Sequence, residues 1–209
     1  MNRLSGTKRD NSTATGKHRL RRRVLAECNE EPTVLETHGG WGRAFERVWY
    51  RTAPGMVIEK DEDRCAHLAQ QRPTWSVYQA DSTAALAAGL GQSRRFDIVD
   101  IDPWGMALPV LDAFMTPQRA YPDRWHLVVN DGGRLKMRVA GAWHVKRIAH
   151  IVQRIGNDIH RVYLEVLQQC VTELADSIGF AVTHFEGSYQ GDAQVMTHFW
   201  ARLDRRTTQ

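Results

Sequence analysis

The sequence predicts an α/β fold: a Rossmann-like, doubly wound, mostly parallel seven-stranded sheet with helices on both faces and a C-terminal antiparallel hairpin. Two observations predict it. From Thr33 onward, short apolar runs rich in β-branched residues alternate with helix-like stretches through five consecutive units, and this alternation is typical of a parallel sheet. After the last helical pattern, two apolar runs flank a turn-like GSYQGDA segment, which indicates a hairpin.

Each predicted strand is a short apolar run that closes near Gly, Asp, Asn or Glu. The first five are Thr33–Thr37, Met56–Glu59, Trp75–Gln79, Phe96–Ile101 and His126–Asn130. The helices between them are predicted at Trp41–Arg51, Asp63–Arg72, Thr83–Gly89 and Leu108–Met115. The longest helical pattern, Asp158–Ile178, repeats apolar residues at helical spacing. The hairpin strands are predicted at Ala181–Phe185 and Val195–Leu203.

The N-terminal segment differs in composition from the rest of the chain. Residues 1–17 are polar, rich in Gly, Ser and Thr, and without periodicity, which predicts a flexible basic arm. A short helix is predicted at His18–Glu27. With 209 residues and 42% hydrophobic side chains, the chain is long enough to bury roughly 70% of its unfolded surface in one core. We therefore expect a single domain over residues 18–209.

Cysteine, histidine and hydropathy patterns exclude several classes of protein. The three cysteines are far apart and form no C-x-x-C pair, which argues against a disulfide framework or a cysteine zinc site and favours the reducing cytoplasm. No histidine pair has the spacing of a metal-binding motif, so no metal is expected. No run of about 18 apolar residues occurs, so no membrane span is expected.

The net charge of +4 is unevenly distributed. The first 23 residues carry a net +7 and Gly133–Asn157 carries +6 with no acidic residue, so the remaining chain is at −9. Two basic blocks on an acidic body suit a phosphate-bearing partner, RNA or DNA, through counterion release. A polar basic arm is equally typical of simple disorder.

In such a sheet, ligands bind at the carboxyl ends of the strands. Gly39, Gly40 and Gly42 follow the first strand, Glu59 ends the second, and Asp81 follows the third. The glycines match neither the dinucleotide fingerprint nor a P-loop. Taken singly, each acid is as well explained as a helix N-cap or a solvated loop residue. Together with the glycines, they predict a ligand with a ribose and an adenine but no pyrophosphate.

The segments VLETHGGWG, VIEKDE, QADS and FDIVDIDPWG, in this order and spacing, resemble the class I S-adenosylmethionine-dependent methyltransferases over about Thr33 to Gly133. The resemblance implies S-adenosyl-L-methionine as cofactor. The residues it implies for cofactor binding are Glu36, His38, Gly39, Gly40, Gly42, Glu59, Lys60, Asp81 and Ser82. Glu36 and the glycines would hold the methionine part, Glu59 the ribose hydroxyls and Asp81 the adenine amine. His38 stands where the family has Gly, and it either lines the cofactor pocket or fills the turn.

The segment Asp102-Pro103-Trp104-Gly105 follows the fourth strand. It resembles the Asp-Pro-Phe-Gly segment of tRNA guanine-N2 methyltransferases and, more distantly, the Asp/Asn-Pro-Pro-aromatic motif of amino-group methyltransferases. An aromatic amine is a poor nucleophile, so its site must accept N–H hydrogen bonds and orient the lone pair. Asp102 and the Pro103 carbonyl are the candidate catalytic acceptors, and Trp104 offers a stacking face. The alternative is a simple Asp-Pro turn with Trp104 in the core.

Substrate contacts are expected beside this motif. Asn130 ends the fifth strand and the second basic block follows it directly. The candidate substrate-binding residues are Gly105, Asn130, Arg134, Lys136 and Arg138, the last three as phosphate contacts.

The sequence therefore favours a methyltransferase acting on an exocyclic amine of a nucleic acid base, with RNA preferred over DNA. Two alternatives stay open. One is an N-methyltransferase of a small molecule or a protein side chain. The other is a nucleic-acid-binding relative that has kept the fold and lost catalysis.

Overall fold

Seven strands form one sheet in the order β3-β2-β1-β4-β5-β7-β6 in the computed structural model, which describes residues 13–28, 30–140 and 145–207. The strands are β1 Thr33–Glu36, β2 Ala53–Glu59, β3 Ser76–Gln79, β4 Ile98–Ile101, β5 Arg124–Asp131, β6 Phe180–Gln190 and β7 Met196–Arg205. β1 to β5 are parallel, and β7 runs antiparallel between β5 and β6. The predicted fold class is thus confirmed.

Eight α-helices cover the sheet within the described ranges. They are α1 Ala14–Ala26, α2 Arg43–Arg47, α3 Glu62–Gln71, α4 Ser82–Ala87, α5 Leu108–Phe114, α6 Gly133–Ala140, α7 Ala149–Ile155 and α8 Tyr163–Ser177. Because successive strand residues face opposite sides, Val34, Ile98 and Val128 pack with α1 and α3, whereas Leu35 and Val99 pack with α4, α5, α7 and α8. None of the helices in the described part is long and apolar enough to cross a membrane.

The N-terminal boundary differs from the prediction. Helix α1 begins at Ala14, so Ala14–Lys17 belong to a helix and not to a flexible arm, and residues 1–12 lie outside the described part. Tertiary contacts explain the difference: Lys17 donates a 2.7 Å hydrogen bond to Asp102, and Thr13 is buried. Such contacts outweigh the low helix propensity of the polar segment.

Two other predicted helices are interrupted. The first ends at Arg47 and is followed by a 3-10 turn at Trp49–Arg51. The long pattern predicted from Asp158 starts as a 3-10 segment at Gly156–Arg161, and α8 begins only at Tyr163. The amide of Leu164 donates a 2.9 Å hydrogen bond to the Tyr189 hydroxyl, which fixes the first turn of α8 against β6.

The C-terminal hairpin is longer than predicted. β6 continues to Gln190, so most of the segment predicted as a turn is paired with β7. The reversal itself is confined to a short 3-10 turn at Asp192–Gln194, where Ala193 has a φ of 56°. Pairing continues from Gly187 to Gln190 because each additional pair satisfies backbone donors and acceptors.

Candidate functional site

In the glycine-rich turn after β1, Gly39 is packed tightly against neighbouring side chains, whereas Gly40 faces open space. A Cβ on Gly39 would come within 2.6 Å of methyl groups of Leu68 and Val57, so only glycine fits there. Gly42 precedes α2 with a φ of +74°, a conformation that favours glycine. Gly40 has a φ of +53° and no described atom within 4 Å of its Cβ position. A ligand can therefore approach the backbone closely at Gly40.

Glu59, at the end of β2, joins this turn to the next loop. Its Oε1 accepts hydrogen bonds from the amides of Lys60 at 2.8 Å and Asp61 at 3.0 Å, and its Oε2 accepts from the amide of Gly40 at 2.7 Å. A carboxylate has about four acceptor positions, so one direction on Oε2 remains. The Lys60 side chain is exposed.

Asp81 and Ser82 lie at the start of α4, after β3. Asp81 is exposed and is the N-cap, with its Oδ1 accepting a 3.0 Å hydrogen bond from the amide of Ala84. The prediction that Asp81 is a helix N-cap is thus confirmed. Its Oδ2 accepts no hydrogen bond from the described residues. Ser82 is buried and its hydroxyl donates to the Thr37 carbonyl, which ties the end of β3 to the end of β1.

His38 lies among the acidic side chains of the strand ends. Burial lowers its pKa, and four carboxylates, those of Asp102, Glu59, Asp100 and Asp81, act in the opposite direction. Its Nδ1 is 2.8 Å from the hydroxyl of the preceding threonine. The ring is half-buried.

The Glu36 carboxylate forms an ion pair inside the protein. It is buried and forms an ion pair with Arg72, whose guanidinium lies 4.6 Å from the ring of Phe45 and 4.9 Å from that of Trp75. Burial raises the pKa of Glu36 to about 7, and the Arg72 charge acts against the rise. The pair anchors α3 beneath β1, so the methionine contact implied for Glu36 stays a prediction.

A chain of ion pairs joins α1 to the end of β4. Arg21 donates to Asp100 at 2.6 and 2.8 Å, and the Trp49 indole donates to the same carboxylate at 2.9 Å. Asp102 accepts from Arg21 at 3.0 Å and from Lys17 at 2.7 Å. Burial alone would raise the pKa of Asp102, but the two cations outweigh it and lower the pKa to about 2. At neutral pH Asp102 is therefore an ionised acceptor.

Neither Lys17 nor Arg21 is among the site residues that the sequence predicts, because Lys17 falls in the predicted flexible arm. The available signal was their separation by four residues, because residues four apart share one face of a helix. The signal is weak without the structure, since basic residues at this spacing usually face solvent.

The other residues of the Asp-Pro-Trp-Gly segment form a surface turn. Trp104 is 98% exposed, so the alternative in which it packs in the core is wrong. Pro103 is buried, and the Gly105 carbonyl accepts a 2.7 Å hydrogen bond from the amide of Gly132. The turn is therefore fastened to the end of β5 while its indole projects into solvent.

Two of the three residues expected to contact phosphate, Arg134 and Arg138, donate hydrogen bonds to the β6–β7 turn. Arg134 donates to the His160 carbonyl at 2.8 Å and to the Gln194 carbonyl, with its guanidinium 3.8 Å from the centre of the Tyr189 ring. Arg138 donates to the backbone of the same turn, at Ala193. These contacts differ from the phosphate role expected for both arginines.

Lys136 and Asn130 occupy opposite environments. Lys136 is exposed beside the Asp-Pro-Trp-Gly turn, with its Nζ 3.5 Å from the position a Cβ would take on Gly105. Asn130 is fully buried in β5 on the face covered by α1. In the described ranges, no group of three or more His, Cys, Asp or Glu side chains could hold a metal ion.

Comparison with protein-family models and with curated proteins gives no match. Among solved structures, the chain is similar to Trm1 from Pyrococcus horikoshii in complex with S-adenosyl-L-methionine, with a TM-score of 0.66, 12% identity, and 97% of this chain and 59% of that chain covered. It is similar to TYW2 of M. jannaschii in complex with AdoMet, with a TM-score of 0.58, 15% identity, and 97% and 79% covered.

A third similar structure is the N-methyltransferase NodS from Bradyrhizobium japonicum WM9 in complex with S-adenosyl-l-homocysteine. The TM-score is 0.58 at 13% identity, with 95% of this chain and 90% of that chain covered. At these identities the likeness concerns the fold, and the chain has the class I methyltransferase fold.

Proposed function

We propose that this protein is an S-adenosyl-L-methionine-dependent N-methyltransferase that acts on an exocyclic amine of a nucleic acid base, with RNA preferred over DNA. One observation carries the proposal. An ionised acceptor, Asp102, and a 98% exposed indole, Trp104, stand two residues apart in one turn at the carboxyl edge of a methyltransferase-type sheet.

The strand ends fit the cofactor. The open backbone at Gly40, the remaining acceptor direction of Glu59 and the Oδ2 of Asp81 suit an adenosine with free ribose hydroxyls. His38 would line the same pocket. When bound, the cofactor supplies an electrophilic methyl group on a sulfonium sulfur.

Asp102 and Pro103 would position the acceptor. The amine would donate its N–H groups to the Asp102 carboxylate and the Pro103 carbonyl, which orients the nitrogen lone pair and stabilises the positive charge that develops as it attacks. Because Lys17 and Arg21 lower its pKa to about 2, Asp102 is ionised at neutral pH in the free protein. It therefore acts as a hydrogen-bond acceptor and an electrostatic partner.

The preference for RNA rests on exposure and charge. An exposed indole stacks best on an unpaired base, and unpaired bases are the usual targets of sequence-specific RNA recognition. Lys136 lies beside the turn, where it could meet a phosphate next to a base stacked on Trp104.

A small-molecule or protein amine is the second candidate substrate. Arg134 and Arg138 hold the β6–β7 turn, which reduces the basic surface beside Trp104, and one similar solved structure is named an N-methyltransferase without reference to nucleic acid. The third candidate is an inactive nucleic-acid-binding relative, which the ion pairs that occupy Asp102 favour.

A methyl-transfer assay with labelled S-adenosylmethionine distinguishes the three candidate functions. The protein is incubated with tRNA, rRNA, single-stranded DNA, duplex DNA or a set of small amines, and each polymer is digested to identify the methylated nucleoside. We expect an N-methylated base in RNA, abolished by Asp102→Asn and unaffected by Asp63→Asn, which alters an exposed carboxylate on α3. Absence of transfer to every polymer, with S-adenosylhomocysteine bound, would contradict the proposal. Transfer only to small amines would favour the second candidate.

A further inference from the structure

Three polar side chains form a row across neighbouring strands beneath α1. Asn130 of β5 and His198 of β7 are directly opposite in register. Asp102 lies one position beyond Ile101, which pairs with Val129, so it stands next to Asn130 on the other side. Because alternate residues of a strand face the same side, all three face the layer that holds α1.

Asn130 and His198 are buried without partners. Their side chains are 0% and 2% exposed, and none of their four polar atoms makes a hydrogen bond with the described residues. Burial lowers the pKa of His198 to about 4, and the Lys17 charge acts in the same direction. The imidazole is therefore neutral and offers one donor and one acceptor beside the amide of Asn130. Buried polar groups are nearly always paired, so this pair is suited to a polar ligand.

The first turn of α1 covers the row. A Cβ on Gly16 would lie 3.7 Å from the His198 Nδ1, and a small cavity of about 50 Å³ between α1 and the β6–β7 hairpin opens onto His198. At the other end of the row, the Lys17 ammonium donates a 2.7 Å hydrogen bond to Asp102. This is the contact that the proposed function assigns to the acceptor amine.

The covering turn lacks two features that usually stabilise a helix start. The N-cap residue Thr13 makes no side-chain cap hydrogen bond, and the first turn carries no acidic residue to favour the helix dipole. Below it, Arg21 holds Asp100 with two buried hydrogen bonds. The Lys17 side chain can therefore leave Asp102 while Arg21 keeps the body of α1 docked.

We propose that Asp102, Asn130 and His198 form the binding pocket for the amine-bearing edge of a heteroaromatic base, and that Lys17 occupies the amine position in the free protein. Asp102 accepts from the exocyclic amine, while Asn130 and His198 pair with the ring nitrogen or carbonyl beside it. Lys17 is a competitor that must leave before the base binds, and it lowers the apparent affinity accordingly. This inference rests on the proposed function, since it assigns the same Asp102.

Uncharged nucleosides provide the test, because they remove any attraction between Lys17 and phosphate. Binding of adenosine, guanosine, cytidine and uridine to the full chain saturated with S-adenosylhomocysteine is measured by equilibrium dialysis. We expect Lys17→Met to bind at least one amine-bearing nucleoside about tenfold more tightly than the unmodified protein. This is the contribution of one good hydrogen bond, which the base can make to Asp102 once Lys17 no longer occupies it. Uridine, which has no exocyclic amine, should gain nothing.

Two further variants identify the pocket and control for charge. In the Lys17→Met protein, His198→Ala should lose the gain and His198→Gln, which keeps a donor and an acceptor, should restore part of it. Arg22→Met removes an exposed charge from the same helix and should change nothing. Circular dichroism confirms that each variant is folded.

The inference is overturned if Lys17→Met binds no nucleoside more tightly, or if uridine gains as much as the others. It is also overturned if His198→Ala is folded and retains the gain. Failure of the proposed function gives a different result: nucleosides bind to Lys17→Met as expected, but no variant transfers a methyl group to RNA.

Discussion

Arg21 and Asp100 form a buried bidentate pair, with hydrogen bonds of 2.6 and 2.8 Å and side chains that are each only 2% exposed. The pair joins α1 to a strand that lies 79 positions further along the chain. Together with the Lys17–Asp102 and Arg23–Glu186 pairs, it holds the N-terminal helix over the carboxyl edge of the sheet.

Removing the Arg21 charge should destabilise the fold strongly. Arg21→Met leaves the buried Asp100 carboxylate without its main partner, and we expect the free energy of unfolding to fall by about 3–5 kcal/mol. Urea denaturation measures the change. Arg22→Met, an exposed neighbour on the same helix, should cost no more than about 0.5 kcal/mol. A loss below 1 kcal/mol for Arg21→Met would mean that α1 is not held by this pair.

Trp104 should matter for binding and not for stability. Because its indole is 98% exposed, Trp104→Ala should change the free energy of unfolding by less than about 0.5 kcal/mol. We expect it to weaken binding of single-stranded RNA by about 1–3 kcal/mol, the contribution of one stacked base. Fluorescence anisotropy with a labelled oligonucleotide measures this, with Tyr50→Ala as the matched control, since Tyr50 is also exposed. Equal losses for the two variants would argue against a stacking role.

Arg134 and Lys136 of α6 should have different functions, the first in stability and the second in RNA binding. Arg134 donates to two backbone carbonyls and stacks on Tyr189, so Arg134→Ala should cost about 1–3 kcal/mol of stability. Lys136→Ala should leave stability unchanged and reduce the slope of log affinity for RNA against log salt by about 1. Thermal unfolding and salt titrations provide the two measurements. A reduced salt slope for Arg134→Ala in a fully folded protein would restore its expected phosphate role.

His126 should give the protein a defined pH dependence. Burial, and secondarily the Arg202 charge, lowers its pKa from 6.5 to about 4, and its Nδ1 accepts a 3.1 Å hydrogen bond from the Trp200 indole. The folded state thus binds fewer protons than the unfolded state in this range. The contribution of His126 is complete above pH 6.5 and is lost as the pH falls through about 4.

The matched variant is His126→Gln, whose amide oxygen can accept from the indole but does not titrate. The stability advantage of the unmodified protein over this variant should shrink as the pH falls from 6.5 to 4. Denaturation at several pH values measures it. Parallel pH curves for the two proteins would show that His126 titrates normally.

The sheet and the strand ends were predictable because they depend on local patterns. β-branched runs closing at Glu59 or before Asp102 mark both a strand and its carboxyl end, and the N-cap at Asp81 needs only three residues of sequence. The covering helix was not predictable in the same way. Its inward-facing Lys17 and Arg21 look like solvated charges until the acids that pair with them are known.

The position of His198 depended on topology. Its strand was predicted, but the insertion of β7 between β5 and β6 is what brings it opposite Asn130. Hydrophobic alternation shows which residues of a strand share a face, and it does not show which strand is the neighbour. Thus the sequence predicts Asn130 as a candidate substrate-binding residue, whereas it does not predict that His198 lies opposite it.

The insertion of β7 also has a consequence for how the molecule is made. Arg23 of α1 pairs with Glu186 of β6, 163 positions away, and His198 of β7 lies opposite Asn130 of β5. The region around Asp102 is therefore built from the first described helix and the last two strands. Contacts this distant in sequence are slow to form because a long loop must close first. A nascent chain can assemble β1 to β4 while still on the ribosome. The proposed base pocket of Asp102, Asn130 and His198 is completed only when β7 has been synthesised.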